Sequence, residues 1–186
     1  METRRIKLRE VQKEDFPTLF MWRNTEKFRF LFHHNENIIN YVRFCSEFSS
    51  DAAVRKFQYI IQKTDTLDLI GLTFVHSYSE KDNHCFLNLF LTEDYEKKGY
   101  GVDVFVLFCL FLLKDIGIRS LYVEAFSYNT FSIACIRRTG MIEVENLENK
   151  KLHDGKKYNI LRFKGDSSLI PELIKFKEIL SISKTN

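Results

Sequence analysis

The order of strand-like and helical segments predicts an α/β fold built on a mixed sheet. Three strand-like runs, at 56–62, 67–77 and 85–91, are separated by short polar turns, which is typical of an antiparallel meander. A glycine turn, an apolar helix and another strand follow, and the two strands that flank such a helix usually run parallel. The 186 residues are 45% hydrophobic with only 2 prolines and 7 glycines, so we expect one domain over 1–186.

Periodicity and capping residues delimit the remaining elements. Residues 4–12 alternate apolar and polar side chains, which predicts the first strand. Gly117 and Gly140 each follow a helical pattern and are interpreted as helix stops, and Pro171 suits the first turn of a terminal helix. The other predicted elements are helices over 14–24, 35–48, 102–116, 130–139 and 167–184 and strands over 120–126, 142–145 and 157–164.

Charge and hydropathy argue against several classes of protein. Lys and Arg exceed Asp and Glu by 28 to 25, which suits a phosphate-bearing ligand but is too small and dispersed to indicate nucleic-acid binding. An RNA- or ribosome-associated protein is a weaker option. The charged N-terminal residues do not resemble a signal peptide, so we expect a soluble, cytoplasmic protein. The longest apolar run, 104–113, is half of the roughly 20 residues that a membrane helix needs.

The four cysteines are Cys45, Cys85, Cys109 and Cys135, and none forms a Cys-x-x-Cys pair. Neither a disulfide framework nor a zinc site is therefore indicated. Three of them lie in strongly apolar segments, as free thiols in reducing compartments do. Cys135 has no histidine near it in sequence, and we do not expect it to act as a covalent nucleophile.

A turn with two glycines, Gly99 and Gly101, joins a strand-like run to the apolar helix. Backbone N–H groups and the helix dipole favour a pyrophosphate at such a helix N-terminus, and glycine lets the phosphate approach closely. Lys97 and Lys98 add positive charge. Gly-x-Gly alone is more often an ordinary strand–helix loop. The dinucleotide-binding pattern fails because its third glycine is Val104 here, and the sequence has no nucleotide P-loop.

The segment 85–104 resembles motif A of the GNAT superfamily of acetyl-CoA-dependent N-acetyltransferases. In that motif a strand and an acidic turn precede Gln/Arg-x-x-Gly-x-Gly/Ala and an apolar helix. Asn129-Thr-Phe-Ser132 and Arg137-Arg138-Thr139-Gly140-Met141 are similar to the Asn-x-x-Ser and Lys-x-Gly-Phe signature of its Rim-type branch. The resemblance spans about 4–164, and the order and spacing of its pieces favour a coenzyme site over an ordinary loop.

The resemblance implies the GNAT fold, in which a largely antiparallel sheet contains one splayed parallel strand pair and carries helices on both faces. It also implies acetyl-CoA as cosubstrate, with no metal. The pantetheine arm would pair with the backbone of Leu89, Phe90 and Leu91, and Asn129 would contact the arm from the other strand. The pyrophosphate would lie on Lys97, Lys98, Gly99, Tyr100, Gly101 and Val102.

Three positions depart from the GNAT pattern. Glu96 stands where Gln or Arg begins the pyrophosphate motif, which puts a negative charge beside the expected phosphate site. Phe86 stands where a strand glutamate often acts as base, and Ile136 where many members have a tyrosine as acid. The implied reaction is direct attack of a neutral amine on the thioester, which needs both a base and an acid.

Two residues are candidates for these catalytic roles. Ser132 is the candidate acid, since Rim-type enzymes are thought to use the serine of Asn-x-x-Ser in this way, and a helix-cap or first-turn serine is the alternative. Glu124 is the candidate base, because strand alternation places it on one face with Tyr122, and a solvated strand glutamate is the alternative. His76 and His84 could also titrate usefully, although histidines near surface turns are common.

The N-terminal segments Ile6-Lys7-Leu8-Arg9 and Trp22-Arg23-Asn24 are similar to Rim-type and aminosugar-acetylating members. Trp22, Arg23 and Asn24 are therefore candidates for bounding the acceptor pocket, although a tryptophan after two apolar residues is more often core packing. The expected acceptor is a primary amine, either on an amino sugar or at a protein or peptide N-terminus. A non-catalytic GNAT-like module that binds CoA as a sensor or scaffold is the competing class. A homodimer is one expected assembly.

Overall fold

Seven strands form one sheet in the computed structural model, which describes residues 1–32, 37–50, 57–153 and 156–182. The strands are β1 (Ile6–Glu10), β2 (Gln58–Lys63), β3 (Leu69–Ser79), β4 (His84–Leu91), β5 (Ser120–Phe126), β6 (Ile142–His153) and β7 (Lys156–Gly165). Their order is β1-β2-β3-β4-β5-β7-β6. β4 and β5 run parallel, and the other neighbouring strands in the described sheet run antiparallel. The predicted mixed, largely antiparallel sheet is confirmed.

Helices connect these strands and follow the last one. They are α1 (Phe16–Arg23), α2 (Glu26–Phe32), α3 (Tyr41–Ser50), α4 (Tyr100–Leu110), α5 (Thr130–Arg138) and α6 (Ile170–Ser181). α4 continues as a π-helix over Phe111–Ile116 and ends at Gly117, whose φ of 79° is one that glycine adopts without strain. Gly140, with φ of 89°, follows α5 in the same way. Both predicted glycine stops are confirmed.

Adjacent residues of the central strands pack against helices on opposite faces of the sheet. Ile61 in β2 belongs to a core that includes Phe108 of α4 and Leu173 of α6. Its neighbour Ile60 belongs to a second core that includes Phe28 of α2 and Phe44 of α3. This division follows from the two-residue period of an extended chain. Helices therefore cover both faces, as the resemblance implies.

The apolar run within 104–113 lies in the core between the sheet and α6. The seven residues of α4 from Val104 to Leu110 are all buried, and α4 packs against α6. A helix that is covered on two sides has no face that must be polar, which explains why its sequence shows no amphipathic period. None of the described helices is long and apolar enough to cross a membrane.

Helix α2 is the element that the sequence pattern does not reveal. Its aromatic residues Phe28, Phe30 and Phe32 recur at every second position, a spacing that is more typical of a strand. The Thr25 hydroxyl accepts the Phe28 N–H at 3.2 Å and thereby caps the first turn. The helix predicted over 35–48 begins at Tyr41, and residues 33–36 lie outside the described part of the chain.

The hairpin of β6 and β7 is longer than the sequence pattern indicates. β6 was expected to end near 145, yet it pairs with β7 as far as His153↔Lys156. The polar residues between 145 and 153 carry no apolar alternation, so only the pairing with β7 reveals them as strand. The C-terminal part of β7 also pairs with β5, with Glu124 opposite Arg162. This hairpin therefore brings Arg162 next to the candidate base.

Candidate active site

The parallel strands β4 and β5 pair at one end and then separate. Their register ends at Leu87↔Val123. Beyond that point β4 continues to Leu91 along β3, and β5 continues to Phe126 along β7. A wedge-shaped gap therefore opens between the two strands, and the main-chain groups that face it are not used by the sheet. Such groups seek a hydrogen-bond partner, which a ligand can supply.

Backbone orientation identifies the residues of β4 that face the gap. The N–H of Thr92 donates to the carbonyl of Ile70 in β3 at 3.0 Å. Because the C=O and N–H of one trans peptide point in opposite directions, the Leu91 carbonyl points into the gap. By strand alternation the main-chain groups of Leu89 face the gap as well, while those of Phe90 face β3. Of the three expected pantetheine contacts, Leu89 and Leu91 thus present their backbone to the gap, where the Leu91 carbonyl already accepts a hydrogen bond of 2.7 Å from a lysine of α2.

The glycine turn before α4 is held from behind by Arg5. The Arg5 guanidinium donates to the carbonyls of Lys98 at 3.2 Å and Gly99 at 3.0 Å. It also bonds both oxygens of the buried Asp103 carboxylate, at 2.9 and 2.8 Å. Since these carbonyls point toward Arg5, the following amides of Gly99 and Tyr100 point away from it. The first amides of a helix have no intrahelical acceptor, so the turn presents a set of donors suited to a phosphate.

The backbone conformation and surroundings of the two glycines in the turn differ. Gly99 has a φ of 86°, and a β-carbon there would lie 3.2 Å from the Arg5 guanidinium, so the fold itself requires glycine. A β-carbon at Gly101 would lie 3.6 Å from Leu89 and 3.8 Å from Leu91, which are ordinary contacts. A β-carbon at 101 therefore causes no clash with the described residues. The fold itself does not require glycine at this position, unlike at Gly99.

The remaining residues expected at the pyrophosphate line the same turn. The side chains of Lys97 and Lys98 are exposed and carry positive charge. The Val102 N–H donates to the carbonyl of Gly99 at 3.1 Å, so it takes part in the helix start. The turn thus combines exposed ammonium groups with free amides and the positive end of a helix dipole. A diphosphate with an attached flexible arm fits this arrangement.

Comparison with protein-family models identifies the family of this chain. The family model described as "Acetyltransferase (GNAT) domain" matches residues 5–142, which is most of the chain. The chain belongs to the GNAT acetyltransferase family. It is accordingly an acetyl-CoA-dependent acyltransferase that performs N-acetyl transfer. None of the curated protein sequences compared with it matches.

Solved structures of GNAT enzymes share this fold. Spermidine N-acetyltransferase from Vibrio cholerae, in complex with CoA and spermine, superposes with a TM-score of 0.79 over 89% of this chain and 98% of that one, at 13% identity. A GNAT-family acetyltransferase from Bacillus anthracis superposes with a TM-score of 0.71 over 90% of this chain and 98% of that one, at 11% identity. At such identities the likeness concerns the fold.

In this GNAT acetyltransferase Glu124 lies on the sheet face that α2 also covers. Its carboxylate is 31% exposed and accepts two bonds from Arg162, at 2.9 and 2.7 Å, both on Oε1. Arg162 also forms an ion pair with Glu145 of β6. The Oε2 atom of Glu124 has no hydrogen bond to any of the described residues. One carboxylate oxygen is therefore anchored while the other stays available to accept a proton.

His76 provides a second titratable group on the same face. Its ring lies 5.1 Å from the ring of Phe86, the residue that replaces the strand glutamate of many GNAT members. Burial lowers the pKa of His76, and Arg162 lowers it further, while Glu124 acts in the opposite direction. The imidazole is therefore mostly neutral at pH 7 and can accept a proton.

Asn129 and Ser132 lie together at the start of α5. The Asn129 Oδ1 accepts the Ser132 N–H at 3.1 Å and thus caps the helix. This places Ser132 in the first turn, half-buried, just beyond the end of β5. The side chain of Asn129 therefore has a structural partner in addition to the coenzyme contact expected of it. The roles of both residues in the reaction stay predictions.

Trp22, Arg23 and Asn24 hold the N-terminal helices in place. Trp22 and Arg23 are buried, and the Trp22 ring lies 5.8 Å from that of Phe90. The Asn24 side chain exchanges two hydrogen bonds of 3.0 Å with the backbone of Ile39. These contacts give Trp22 and Asn24 a structural role. Direct contact of the three residues with an acceptor stays a prediction.

Helix α2 covers the gap, which the sequence pattern does not indicate. Phe28 packs edge-on against Phe90 of β4, with ring centroids 4.9 Å apart. Two residues later Phe30 stacks on Phe126 of β5 at 5.0 Å. The helix thus bridges the two separating strands on the face opposite α4. In this arrangement a coenzyme arm would enter beside α4, and an acceptor would approach from the α2 side.

Burial makes three of the four cysteine thiols poor nucleophiles. It raises the pKa of Cys85 to about 12 and also raises the pKa values of Cys109 and Cys135. Since the thiolate is the reactive form, little of it exists at neutral pH. No cluster of three or more His, Cys, Asp or Glu side chains within the described ranges could hold a metal ion.

We expect Cys135→Ala to keep kcat/KM within about threefold of wild type, because direct transfer forms no acyl-enzyme. Intact-mass spectrometry of the wild-type enzyme, quenched during turnover, should show no added acetyl group on Cys135. The control is Cys45→Ala, which changes another partly exposed thiol. An acetyl thioester on Cys135 during turnover would contradict direct transfer.

Proposed function

We propose that this GNAT acetyltransferase moves acetyl from acetyl-CoA to the primary amine of a small molecule by direct attack. The observation that carries the proposal is the separation of β4 from β5 after Leu87 and Val123, next to a turn with free amides. This arrangement allows two ligands to meet from opposite faces of one sheet. Proximity of this kind accounts for much of the rate of group-transfer enzymes.

Two side chains would move protons in the proposed reaction. The amine nitrogen attacks the thioester carbonyl carbon, the C–N bond forms and the C–S bond breaks. Glu124 takes the proton that the amine loses, since its Oε2 is available, and Ser132 gives a proton to the departing sulfur. A backbone N–H of β4 that faces the gap, such as that of Leu89, would stabilise the oxyanion.

The acceptor is proposed to be a small amine for two reasons. The solved structure from Vibrio cholerae is named as a spermidine N-acetyltransferase and contains spermine, which is a small-molecule amine. In this chain α2 lies across the gap with Phe30 on Phe126, so the acceptor side is partly covered. An amino sugar and a peptide N-terminus remain acceptor classes to be compared with it. Four expectations stay predictions: membership of the Rim-type branch, a single domain over 1–186, a cytoplasmic location and a homodimer.

Thiol release from acetyl-CoA over a panel of amines tests the proposal. The panel contains a polyamine, an amino sugar and a short peptide with a free N-terminus. We expect release of free CoA to depend on at least one small amine, with one acetyl group on that amine by mass spectrometry. Tight acetyl-CoA binding with no amine-dependent release over the whole panel would instead favour a non-catalytic CoA-binding sensor or scaffold.

A further inference from the structure

One ammonium group occupies the gap side of β4 at its C-terminal end. Lys27 in α2 donates from Nζ to the Leu91 carbonyl at 2.7 Å and forms an ion pair with Glu96. Its Nζ also lies 5.2 Å from the centroid of the Phe90 ring. The Lys27 side chain is 23% exposed and that of Glu96 is 42% exposed. The Leu91 carbonyl, the Glu96 carboxylate and the Phe90 ring therefore hold this ammonium. It lies directly before residues 97–102, which we call the coenzyme turn.

Glu96 has the wrong charge for its position. It stands where the GNAT pattern has Gln or Arg, and it immediately precedes Lys97, the first residue of the turn. Like charges repel across several ångströms even in a partly solvated site. An unpaired carboxylate at this point would therefore oppose the phosphates that the turn amides attract.

A second carboxylate on the other side of the turn is neutralised in the same manner. Asp103 follows the turn in the first turn of α4, and Arg5 bonds both of its oxygens. Glu96 and Asp103, the acidic residues that flank 97–102, are thus each paired with a cation from a distant segment. The turn then presents its amides and its own lysines to an anion with both of these carboxylates neutralised.

We propose that Lys27 is a coenzyme-positioning residue, which neutralises Glu96 so that the turn can accept the pyrophosphate. The Lys27–Glu96 pair replaces the Gln or Arg of other GNAT members. Because Lys27 belongs to α2, the same contact ties the helix that covers the gap to the coenzyme turn. The inference rests on the proposed function only for the identity of the ligand.

Acetyl-CoA binding by isothermal titration calorimetry tests this role in Lys27→Met, Glu96→Gln and the double variant. Methionine keeps an unbranched apolar side chain on Phe90 and removes the ammonium together with its hydrogen bond to the Leu91 carbonyl. We expect Lys27→Met to raise Kd about tenfold, which corresponds to ~1.4 kcal/mol. Glu96→Gln should bind within about threefold of wild type, and the double variant should return to that range, because no unpaired carboxylate remains.

The salt dependence of Kd and a control lysine variant distinguish loss of charge from loss of packing in Lys27→Met. The loss in Lys27→Met should shrink as the salt concentration rises, since mobile ions screen the repulsion between Glu96 and the phosphates. The control is Lys175→Met, which removes a 69% exposed lysine of α6 that is paired with Glu172. It should leave Kd unchanged. Far-ultraviolet circular dichroism of all variants should match wild type.

Two results would overturn this role for Lys27. An unchanged Kd in Lys27→Met would show that the ammonium is not needed, and a double variant as weak as Lys27→Met would assign Lys27 to packing. Wild-type protein that binds acetyl-CoA but acetylates no amine would instead overturn the proposed transfer and leave this inference intact. Wild-type protein that does not bind acetyl-CoA would overturn both.

Discussion

Gly101→Glu is expected to abolish acetyl-CoA binding while the chain stays folded. A β-carbon at this position makes only ordinary contacts, at 3.6 Å with Leu89 and 3.8 Å with Leu91. A glutamate in the first turn of a helix is also favoured by the helix dipole. We therefore expect the fold to tolerate the change. The new carboxylate would lie between α4 and β4, where the coenzyme arm and its phosphates need space.

The size of this effect follows from Coulomb repulsion. Two unit charges 4 Å apart repel by about 4 kcal/mol at an effective dielectric of roughly 20. This corresponds to a loss of about 10³-fold in affinity, which calorimetry would record as absence of binding. Thermal unfolding should give a Tm close to that of wild type.

Two further variants at the same position separate bulk from charge. Gly101→Ala adds only a β-carbon and should weaken binding least. Gly101→Gln has the size of glutamate without its charge, and its affinity should fall between those of the other two variants. Wild-type affinity in Gly101→Glu would remove the coenzyme site from this turn.

Glu124→Gln is expected to lower kcat/KM by about 10²-fold or more with acetyl-CoA affinity nearly unchanged, because general bases typically contribute 10²–10⁴. The amide oxygen of glutamine can still accept the two bonds from Arg162, so the side chain should keep its position. What it loses is the ability to accept a proton. Steady-state kinetics with the best amine of the panel, together with calorimetry, measure both quantities.

The pH profile identifies the group that titrates. If Glu124 is the base, its glutamine variant should lose the acidic limb of the kcat/KM profile. His76→Asn is the competing variant, since burial lowers the pKa of His76 and keeps it neutral near pH 7. Loss of the acidic limb in His76→Asn but not in Glu124→Gln would assign the base to His76.

Glu145→Gln is the matched control for Glu124, because Glu145 also bonds Arg162. We expect kcat/KM of Glu145→Gln to stay within about threefold of wild type, since Glu145 pairs with Arg162 and takes no proton in the reaction. Ser132→Ala should slow thiolate departure without changing the pKa of the base. A fall of only a few fold in Glu124→Gln, with His76→Asn also mild, would favour a water relay held by backbone groups.

Local patterns predicted most of the strands and several of the helices. The meander over β2, β3 and β4 follows from alternating side chains and polar turns, and the stops at Gly117 and Gly140 follow from a conformation that glycine adopts easily. The sequence periodicity does not predict α2 because the aromatic residues of this helix pack against two separate strands. Phe28 contacts β4 and Phe30 contacts β5, so their spacing is set by the gap rather than by one helix face.

The glycine turn before α4 was predictable from sequence, whereas the groups that support it were not. Gly99 and Gly101 lie two residues apart in one segment, so their pattern survives in the linear chain. Arg5 reaches Asp103 across 98 positions, and Lys27 reaches Leu91 across 64. Nothing in the spacing of these residues indicates that they meet.

The sequence by itself determined the family, the position of the glycine turn before α4 and the face that carries Glu124, because these depend on short-range periodicity and on the conformational freedom of glycine. Only the tertiary structure decided which charges are paired. Arg162 anchors Glu124 and Lys27 neutralises Glu96 because the sheet and α2 bring distant segments within hydrogen-bond distance. The sequence shows where a carboxylate stands in the chain, but the electrostatic effect of that carboxylate depends on the neighbours that folding places around it.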